Sequence, residues 1–386
     1  MVAERPLALF ILIAALRPSP CTDNHGFMTL AQLGWNDYFA QAFAPHAATG
    51  HLPARVTLEL KGYFEVTGEF GAKLGQCTGK YINAAVAPAE FPAIGDWVTV
   101  SPQTGDENRM HIHALLPRRT KFSRKAAGEQ DLEQIVAANI DTVFLVSAFD
   151  GNYHLHRVER YLAATWASGA QPVILLNKAD LTDDTEALQR EIAGAAPDLP
   201  VFVVSAQTRR GLKALAPFLQ PGMTVALLGS SGVGKSTLIN RLVGENLQFT
   251  QEVREDDNKG RHTTTQRELL VAPGGFIVID TPGMREIQPW VAEAGVRAAF
   301  ADIITLTTQC KFRNCSHTVE PGCAVQAAIK AGSLGKARWH SCQRMLLTTV
   351  KAQTYGDRRA EMERKKGVKK TNKSLRQRVQ AKTGDE

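Results

Sequence analysis

The arrangement of hydrophobic and polar positions changes twice along the chain. Residues 28–50 have apolar positions spaced as in a short amphipathic helix, followed by a linker. Residues 51–120 instead show short runs in which apolar and polar positions alternate between glycines; the clearest are Arg55–Leu60, Tyr63–Val66 and Trp97–Val100. This pattern predicts an N-terminal all-β barrel, and an OB-fold is the architecture that we expect. Such barrels bind nucleic acid or serve as structural modules, and the pattern leaves both open.

A third pattern, from residue 121 to 302, alternates continuous apolar runs with stretches of helical periodicity. Apolar strands that alternate with helices predict a mainly parallel sheet covered on both faces, and therefore a central α/β domain. The predicted strands are Thr142–Ser147, Val173–Leu176, Val201–Val204, Val225–Leu228 and Phe276–Ile279. The predicted helices are Arg157–Ala167, Thr185–Ala195 and Lys235–Val243.

The two ends of the chain differ from the rest. Residues 303–357 are expected to be mainly helical, and residues 358–386 form a tail dominated by Lys and Arg that could condense onto a phosphate backbone. Within the N-terminal extension, residues 1–50, the first 27 contain Arg5 and the apolar run Leu7–Leu16, which resembles a secretion signal. We favour a start codon assigned too early, with Met28 as the start and a cytoplasmic protein; export is the alternative. The apolar run is too short to span a membrane.

The net charge indicates a kind of partner, and the spacing of the cysteines indicates a metal site. The net charge is +7, which favours an anionic partner such as nucleic acid. Of six cysteines, three lie within a short stretch, a distribution typical of a metal site rather than a disulfide framework.

The sequence GSSGVGKS at 229–236 fits the phosphate-loop pattern at every fixed position, between an apolar strand and a helix. Glycines at 229 and 234 allow the backbone to wrap around phosphates, Lys235 is suited to the β- and γ-phosphates, and Ser236 to Mg²⁺. We assign to this site Gly229, Ser230, Ser231, Gly232, Val233, Gly234, Lys235, Ser236 and Thr237.

A second motif, Asn177-Lys178-Ala179-Asp180, closes the strand Val173–Leu176. A carboxylate at Asp180 can accept hydrogen bonds from both guanine N1–H and the exocyclic amine, which adenine does not offer. Alone, the motif is weak, and Asp180 could simply cap a helix. A phosphate loop in the same sheet favours guanine recognition, with Ser205 and Ala206 as a further base-contacting loop.

The third motif, Asp280-Thr-Pro-Gly283, follows another strand. Asp280 is expected to hold Mg²⁺ through water and the Gly283 amide to sense the γ-phosphate. In the polar loop upstream, Thr264 is expected to complete the Mg²⁺ shell, although an ordinary loop is the alternative. Many GTPases place Gln after this motif to orient the attacking water, whereas this chain has Met284. His262 is the nearest substitute, and hydrolysis is expected to be slow without a partner.

The spacing Cys310-x4-Cys315-x-His317-x5-Cys323 offers three thiolates and one imidazole. A Cys₃His set fills a tetrahedral Zn²⁺ shell completely, so the sequence predicts one structural zinc rather than a catalytic metal.

The three nucleotide motifs stand in an unusual order. The base-reading motif precedes the phosphate loop and the Asp280 motif, whereas it follows both in an ordinary small GTPase. This order predicts a circularly permuted P-loop GTPase. With the barrel, GRHTTT at 260–265 and the Cys₃His segment, the chain resembles the RsgA family over residues 28 to about 360.

That resemblance implies an N-terminal OB-fold domain, a permuted GTPase domain and a C-terminal zinc-binding domain. It also implies a role in late maturation of the small ribosomal subunit, with GTP hydrolysis stimulated by that subunit. We expect GTP and GDP as ligands with Mg²⁺, the small subunit and its rRNA as partners, and a monomer. The histidine matching His262 is linked to hydrolysis in the family. Residues 1–27 have no counterpart there. The alternative function is a non-catalytic RNA-binding assembly factor that uses GTP only as a structural ligand.

Overall fold

A computed structural model describes residues 28–60, 62–125, 133–150, 153–196, 199–244, 268–280, 293–336, 338–347 and 349. Helix α1 (Asp37–Ala47) comes first, and the Asn36 side chain caps it by accepting hydrogen bonds from the backbone N–H groups of Tyr38 and Phe39. The barrel strands follow: β1 (Leu52–Leu60), β2 (Tyr63–Gly68), β3 (Gly71–Cys77), β4 (Trp97–Gln103) and β5 (Asp106–Leu115), with helix α2 (Gly79–Ala84) between β3 and β4.

The five strands close on themselves. Their order is β1-β2-β3-β5-β4, and β4 returns to pair with β1. The β3–β5 pair is parallel and the others are antiparallel. Closure turns one face of every strand inward, and it buries a small aliphatic core: Ala54, Val56, Val66, Val98, Val100, Met110 and Ile112.

Six further strands follow: β8 (Thr142–Ala148), β9 (Gln171–Asn177), β10 (Val201–Val203), β11 (Thr224–Leu228), β12 (Glu268–Val271) and β13 (Ile277–Asp280). Five of them form a parallel region, called the parallel sheet below, in the order β10-β9-β8-β11-β13, and β12 lies antiparallel beyond β13. Both faces are covered. Along β8, Val143 and Leu145 enter one apolar cluster while Phe144 and Val146 enter the other. The flanking helices are α3 (Leu155–Ser168), α4 (Glu186–Ala195), α5 (Lys235–Val243) and the 3₁₀ segment Leu212–Phe218.

A hairpin and one strand pair connect the barrel to this sheet. The hairpin is formed by β6 (Lys121–Lys125) and β7 (Glu133–Ala138). Strand β1 also pairs with β12, at Leu58 and Glu268, so one hydrogen-bonded sheet runs from barrel to parallel strands.

Arg55 on β1 lies buried at this junction, with 1% of its surface exposed. Its guanidinium donates to the carbonyls of Leu33, Gly95 and Asn139 and to the hydroxyl of Thr224 on β11. Burial lowers its pKa to about 10, although nearby Asp141 and Asp96 act in the opposite direction. One side chain therefore ties the N-terminal segment, the barrel and the parallel sheet together.

The C-terminal described segment is helical: α6 (Glu293–Ala299), α7 (Ala301–Thr308), α8 (Ala324–Lys330) and helical residues 338–347. Helix α6 lies so close to α3 that a Cβ at Gly295 would overlap the Ala163 carbonyl and the Ala167 side chain. Arg338 adds a polar attachment. It pairs with Asp302 and donates to the Ala195 carbonyl at 2.9 Å, and its Nε lies 3.7 Å from the buried Glu159. In the described ranges, no helix has the length and apolarity needed to cross a bilayer.

The predicted elements differ from the observed ones mainly where side chains are small or charged. The predicted strands and helices of the parallel sheet lie within two residues of the observed bounds. Two barrel strands were not predicted: β3, which has two glycines, and β5, which begins with Asp-Glu-Asn-Arg. The β6–β7 hairpin was not predicted either. These strands are fixed by backbone pairing with neighbours rather than by apolar periodicity.

Candidate nucleotide site and metal centre

The phosphate loop occupies the carboxyl end of β11, an interior strand of the parallel sheet that lies between β8 and β13. Strand β11 is fully buried, and helix α5 begins directly after the loop, at Lys235. Gly234, the N-cap residue, has a φ of 92° and supplies no capping side chain. A Cβ at this position would collide with the Asn177 amide, so glycine is required there. The first-turn N–H groups of α5 are consequently arranged as a phosphate-binding helix terminus.

Lys235 lies inside the loop. Only 6% of the residue is exposed, and its ammonium donates to the Gly229 carbonyl at 2.9 Å and to the Ser230 carbonyl at 2.5 Å. Ser236 and Thr237 follow on the exposed first turn of α5. A buried cation beside exposed hydroxyls fits a site for polyphosphate and Mg²⁺.

Asn177 joins the phosphate loop to a second loop. Its side-chain amide donates to the Val233 carbonyl at 2.8 Å, and its Oδ1 accepts from the Ala206 backbone N–H at 3.0 Å. The residue is 1% exposed. Both hydrogen bonds are therefore shielded from water, and they fix the spacing between the β9, β10 and β11 loops.

The rest of the Asn177 motif is held by two further side-chain contacts. Asp180 is exposed and accepts a hydrogen bond from Ser205, which is completely buried. Lys178 has a φ of 62°, and its ammonium pairs with Asp150 at 2.7 Å. Asp150 was not predicted as a site residue, although an acid two residues beyond the end of β8 is a signal that could have identified it. These contacts bring the predicted residues of three loops to one edge of the sheet.

Asp280 ends β13, which is the parallel neighbour of β11. Its backbone therefore lies at the same edge of the sheet as the phosphate loop. Three other predicted residues, His262, Thr264 and Gly283, lie outside the described residues.

The four predicted metal ligands converge in the C-terminal segment. The ligand atoms of Cys310, Cys315, His317 and Cys323 all lie within 4.8 Å of one another. His317 Nδ1 lies 3.4 Å from the Cys310 sulfur and 3.6 Å from the Cys323 sulfur, and these two sulfurs are 3.9 Å apart. Ligands of a tetrahedral Zn²⁺, at roughly 2.0–2.3 Å from the metal, are separated by about 3.5–3.8 Å. The residues fit a closed zinc site.

Neighbouring residues hold this cluster in place. The Trp339 ring packs edge-on against His317 at 5.3 Å, and Gln326 donates to the His317 carbonyl at 2.7 Å. The Glu320 carboxylate accepts from the Ser316 hydroxyl and from backbone N–H groups at Ser316 and Thr318, and these hydrogen bonds lower its pKa to about 2. The ligand loop is thus ordered by its own hydrogen bonds.

A phosphate loop on the interior strand β11, with the Asn177 motif on a strand that comes earlier in the chain but lies in the same parallel sheet, defines a circularly permuted P-loop nucleotide-binding protein. The fold is similar to that of solved structures, among them the following two. YjeQ from Thermotoga maritima aligns with a TM-score of 0.57 and 24% identity, over 78% of this chain and 99% of its own. YloQ, described as a circularly permuted GTPase, aligns with a TM-score of 0.55 and 23% identity, over 78% and 96%.

The chain belongs to the RsgA GTPase family, whose profile matches residues 115–290, and it is a GTP-hydrolysing enzyme. The small ribosomal subunit biogenesis GTPase RsgA of Opitutus terrae is 48% identical over 342 residues, which cover 86% of this chain and 92% of the relative. The protein of the same name from Streptomyces coelicolor is 40% identical, over 94% of this chain and 97% of the relative. Family membership implies that the site binds GTP and GDP with Mg²⁺.

Proposed function

We propose that this GTPase binds the small ribosomal subunit, assists its late maturation, hydrolyses GTP with stimulation by the subunit, and then dissociates. The observation that carries the proposal is the position of Asn177, whose amide joins the phosphate loop to the Ala206 loop. Guanine recognition and phosphate binding thereby share one rigid site. The names of the relatives, small ribosomal subunit biogenesis GTPases, point to the subunit as the partner.

Within this proposal, each site residue has a role that follows from its chemistry. Asp180 reads the guanine edge, with Ser205 holding its carboxylate in place. Lys235 moves from the loop carbonyls to the β- and γ-phosphates, and Ser236 binds Mg²⁺. Asp280 and Thr264 complete the Mg²⁺ shell, and the Gly283 amide senses the γ-phosphate. His262 orients the attacking water in place of the Gln that Met284 replaces.

The flanking parts supply the contact with the subunit. We assign residues 51–120 to an RNA-binding OB-fold, 121–302 to the GTPase domain and 303–357 to a zinc-binding domain, in a protein that acts as a monomer. The closed β1-β2-β3-β5-β4 order supports the OB-fold, and the sulfur–nitrogen separations support one structural zinc. The basic segment 358–386 adds affinity for phosphate.

In this proposal, the bound nucleotide affects the zinc-binding domain through the segment of chain that connects the two domains. Strand β13 ends at Asp280, and α6 begins at Glu293 and lies on α3. A γ-phosphate contacted by the Gly283 amide would reposition the helices that follow in the chain. Affinity for the subunit is therefore expected to be higher with a non-hydrolysable GTP analogue than with GDP, and equal affinities would refute this coupling.

Phosphate release from GTP, measured with and without purified small subunits, tests the proposed function. Subunits should raise turnover at least about tenfold, since partner-supplied catalytic groups contribute up to 10³–10⁵ in other GTPases. A His262→Ala variant should keep its GTP affinity and lose stimulated turnover, whereas His46→Ala, on α1, should behave like the unchanged protein. Absence of stimulation would refute the role of the subunit, and full stimulation of His262→Ala would refute the role of the histidine.

A further inference from the structure

The loop between the first two cysteines of the zinc cluster exposes an aromatic ring between two cations. Phe312 is 42% exposed and is not part of the apolar cluster that forms the core of this segment. The Lys311 ammonium lies 5.6 Å from the Phe312 ring centroid. Arg313, the next residue in the sequence, is also exposed. A single exposed apolar ring is ordinary at a protein surface. Phe312 differs from such a ring because cationic residues adjoin it on both sides in the sequence.

The loop is held in one conformation. Cys310 and Cys315 anchor its two ends in the ligand cluster, and the Lys311 backbone N–H donates to the Gly322 carbonyl at 3.1 Å. The Cys315 N–H donates to the Phe312 carbonyl at 3.3 Å, which closes a turn. The ring is therefore presented by a preorganised support, and a ligand that binds it meets a small entropic cost.

The charge around the ring has one sign. Among the described residues, neither Lys311 nor Arg313 has an ion-pair partner. The segment 310–323 contains a single acidic residue, Glu320. Its carboxylate accepts hydrogen bonds from the Ser316 hydroxyl and from the backbone N–H groups of Ser316 and Thr318. A ligand at this loop thus meets two cations and no competing carboxylate.

The ring borders an open cavity of about 380 Å³. Its lining carries hydroxyl, aromatic and guanidinium groups and no carboxylate: Thr307, Thr308, Phe312 and Arg313, together with the metal-ligand residues Cys310, Cys315 and His317. The volume is within the range of small-ligand pockets, roughly 300–1,000 Å³, and is large enough to hold one planar base.

We infer that Phe312 is a stacking platform for an unpaired nucleobase of RNA, with Lys311 and Arg313 contacting the flanking phosphates. Aromatic rings bordered by cations bind single-stranded nucleic acid by this combination of stacking and charge. A docking polypeptide would require a wider apolar surface than this ring provides. The inference rests on the proposed function for the source of the RNA, the small ribosomal subunit.

The test measures binding of the full chain to a fluorescent single-stranded RNA of about twelve nucleotides, at raised salt so that contacts of the basic tail are weak. Phe312→Leu retains apolar bulk without a π face, and it should weaken binding roughly 5- to 150-fold, which corresponds to about 1–3 kcal/mol of stacking per base. Phe312→Tyr should bind within about a factor of two of the unchanged protein. Val319→Ala is the matched control, because Val319 is 89% exposed in the same segment and is aliphatic.

Zinc content is measured for each variant, so that loss of RNA binding is attributed to the ring only where the metal is retained. If Phe312→Leu binds RNA as tightly as the unchanged protein, or if Val319→Ala weakens binding equally, the inference is overturned. The assay contains no ribosome and no GTP. Failure of subunit-stimulated hydrolysis would therefore refute the proposed function separately, whereas failure of the Phe312 variants would refute this inference alone.

Discussion

Replacing Arg55 by methionine tests how far one buried side chain stabilises the junction between barrel and parallel sheet. The change removes all four hydrogen bonds of the guanidinium. The Gly95 carbonyl keeps a second donor, the Asn139 side chain at 3.0 Å. Acceptors at Leu33, Asn139 and Thr224 lose the Arg55 donor, and each costs about 1–3 kcal/mol when it stays buried and unpaired.

An opposing effect reduces this loss. The lowered Arg55 pKa, about 10 instead of 12.5, shows that burial disfavours the charged form by about 3 kcal/mol, and methionine removes that cost. Three unpaired acceptors at a middle value of about 2 kcal/mol each outweigh it. We therefore expect Arg55→Met to lower the free energy of unfolding by about 3 kcal/mol.

Urea unfolding followed by tryptophan fluorescence is the appropriate assay, because the Trp97 ring lies 5.7 Å from the Arg55 guanidinium. Far-UV circular dichroism must give the same midpoint for a two-state free energy to apply. Arg119→Met is the matched control, since Arg119 pairs with Asp141 at an exposed position and should change stability by less than about 1 kcal/mol. A loss of less than about 1 kcal/mol in Arg55→Met, or equal losses in both variants, would contradict the reasoning.

Three further predictions concern the base site, the metal and the barrel surface. Asp180→Asn should weaken GTP binding at least about 100-fold and favour xanthosine triphosphate, whereas Asp183→Asn, at an exposed position, should change neither. Nucleotide titration measures both affinities, and an unchanged GTP affinity in Asp180→Asn would refute guanine recognition by Asp180. Metal analysis should find one zinc per chain, and Cys323→Ser should lose it together with part of the helical circular dichroism; an unchanged spectrum without zinc would contradict a structural metal. His113 stacks on His51 at 4.3 Å, and burial, with the charges of His51 and His111, lowers its pKa. As the pH falls, the unfolded chain therefore takes up a proton at this position before the folded chain does. The contribution of His113 to the free energy of unfolding is complete above about pH 6.5 and is lost as the pH falls below that value. His113→Gln should make the free energy of unfolding less dependent on pH in this range, and identical pH profiles for both proteins would show that His113 does not contribute.

The strand, loop and helix start of the phosphate loop could be predicted from the sequence because they are determined locally. The residues from Gly229 to Ser236 form a strand end, a loop and a helix start, and each of these is specified by neighbours in the chain. Likewise, the four zinc ligands lie within one short segment, and the structure brings them together as predicted.

Contacts between distant segments could not be predicted in the same way. Alternation along β1 places Arg55 on the polar face of its strand, yet the residue is buried because the opposite face of the barrel wall meets the N-terminal segment and β11. The contact between Asn177 and the phosphate loop has the same origin. Its residue type was recognised, but its position between two loops depends on the parallel pairing of β8, β9 and β11.

The connection between Arg55 and Thr224, 169 residues apart, has a consequence for the order of events during synthesis. Chains are made from the N-terminus, and domains fold as they emerge from the ribosome. The barrel strands are complete long before β11 exists, so the nascent barrel holds a cation whose acceptor on the later sheet has not been made. The permuted order also delays the hydrogen bond between the Asn177 amide and the Val233 carbonyl, because Val233 is synthesised 56 residues after Asn177. With the phosphate loop in its proposed role, a newly made chain is expected to retain guanine nucleotide only after this loop has left the exit tunnel, so that nucleotide retention would be a late marker of co-translational folding.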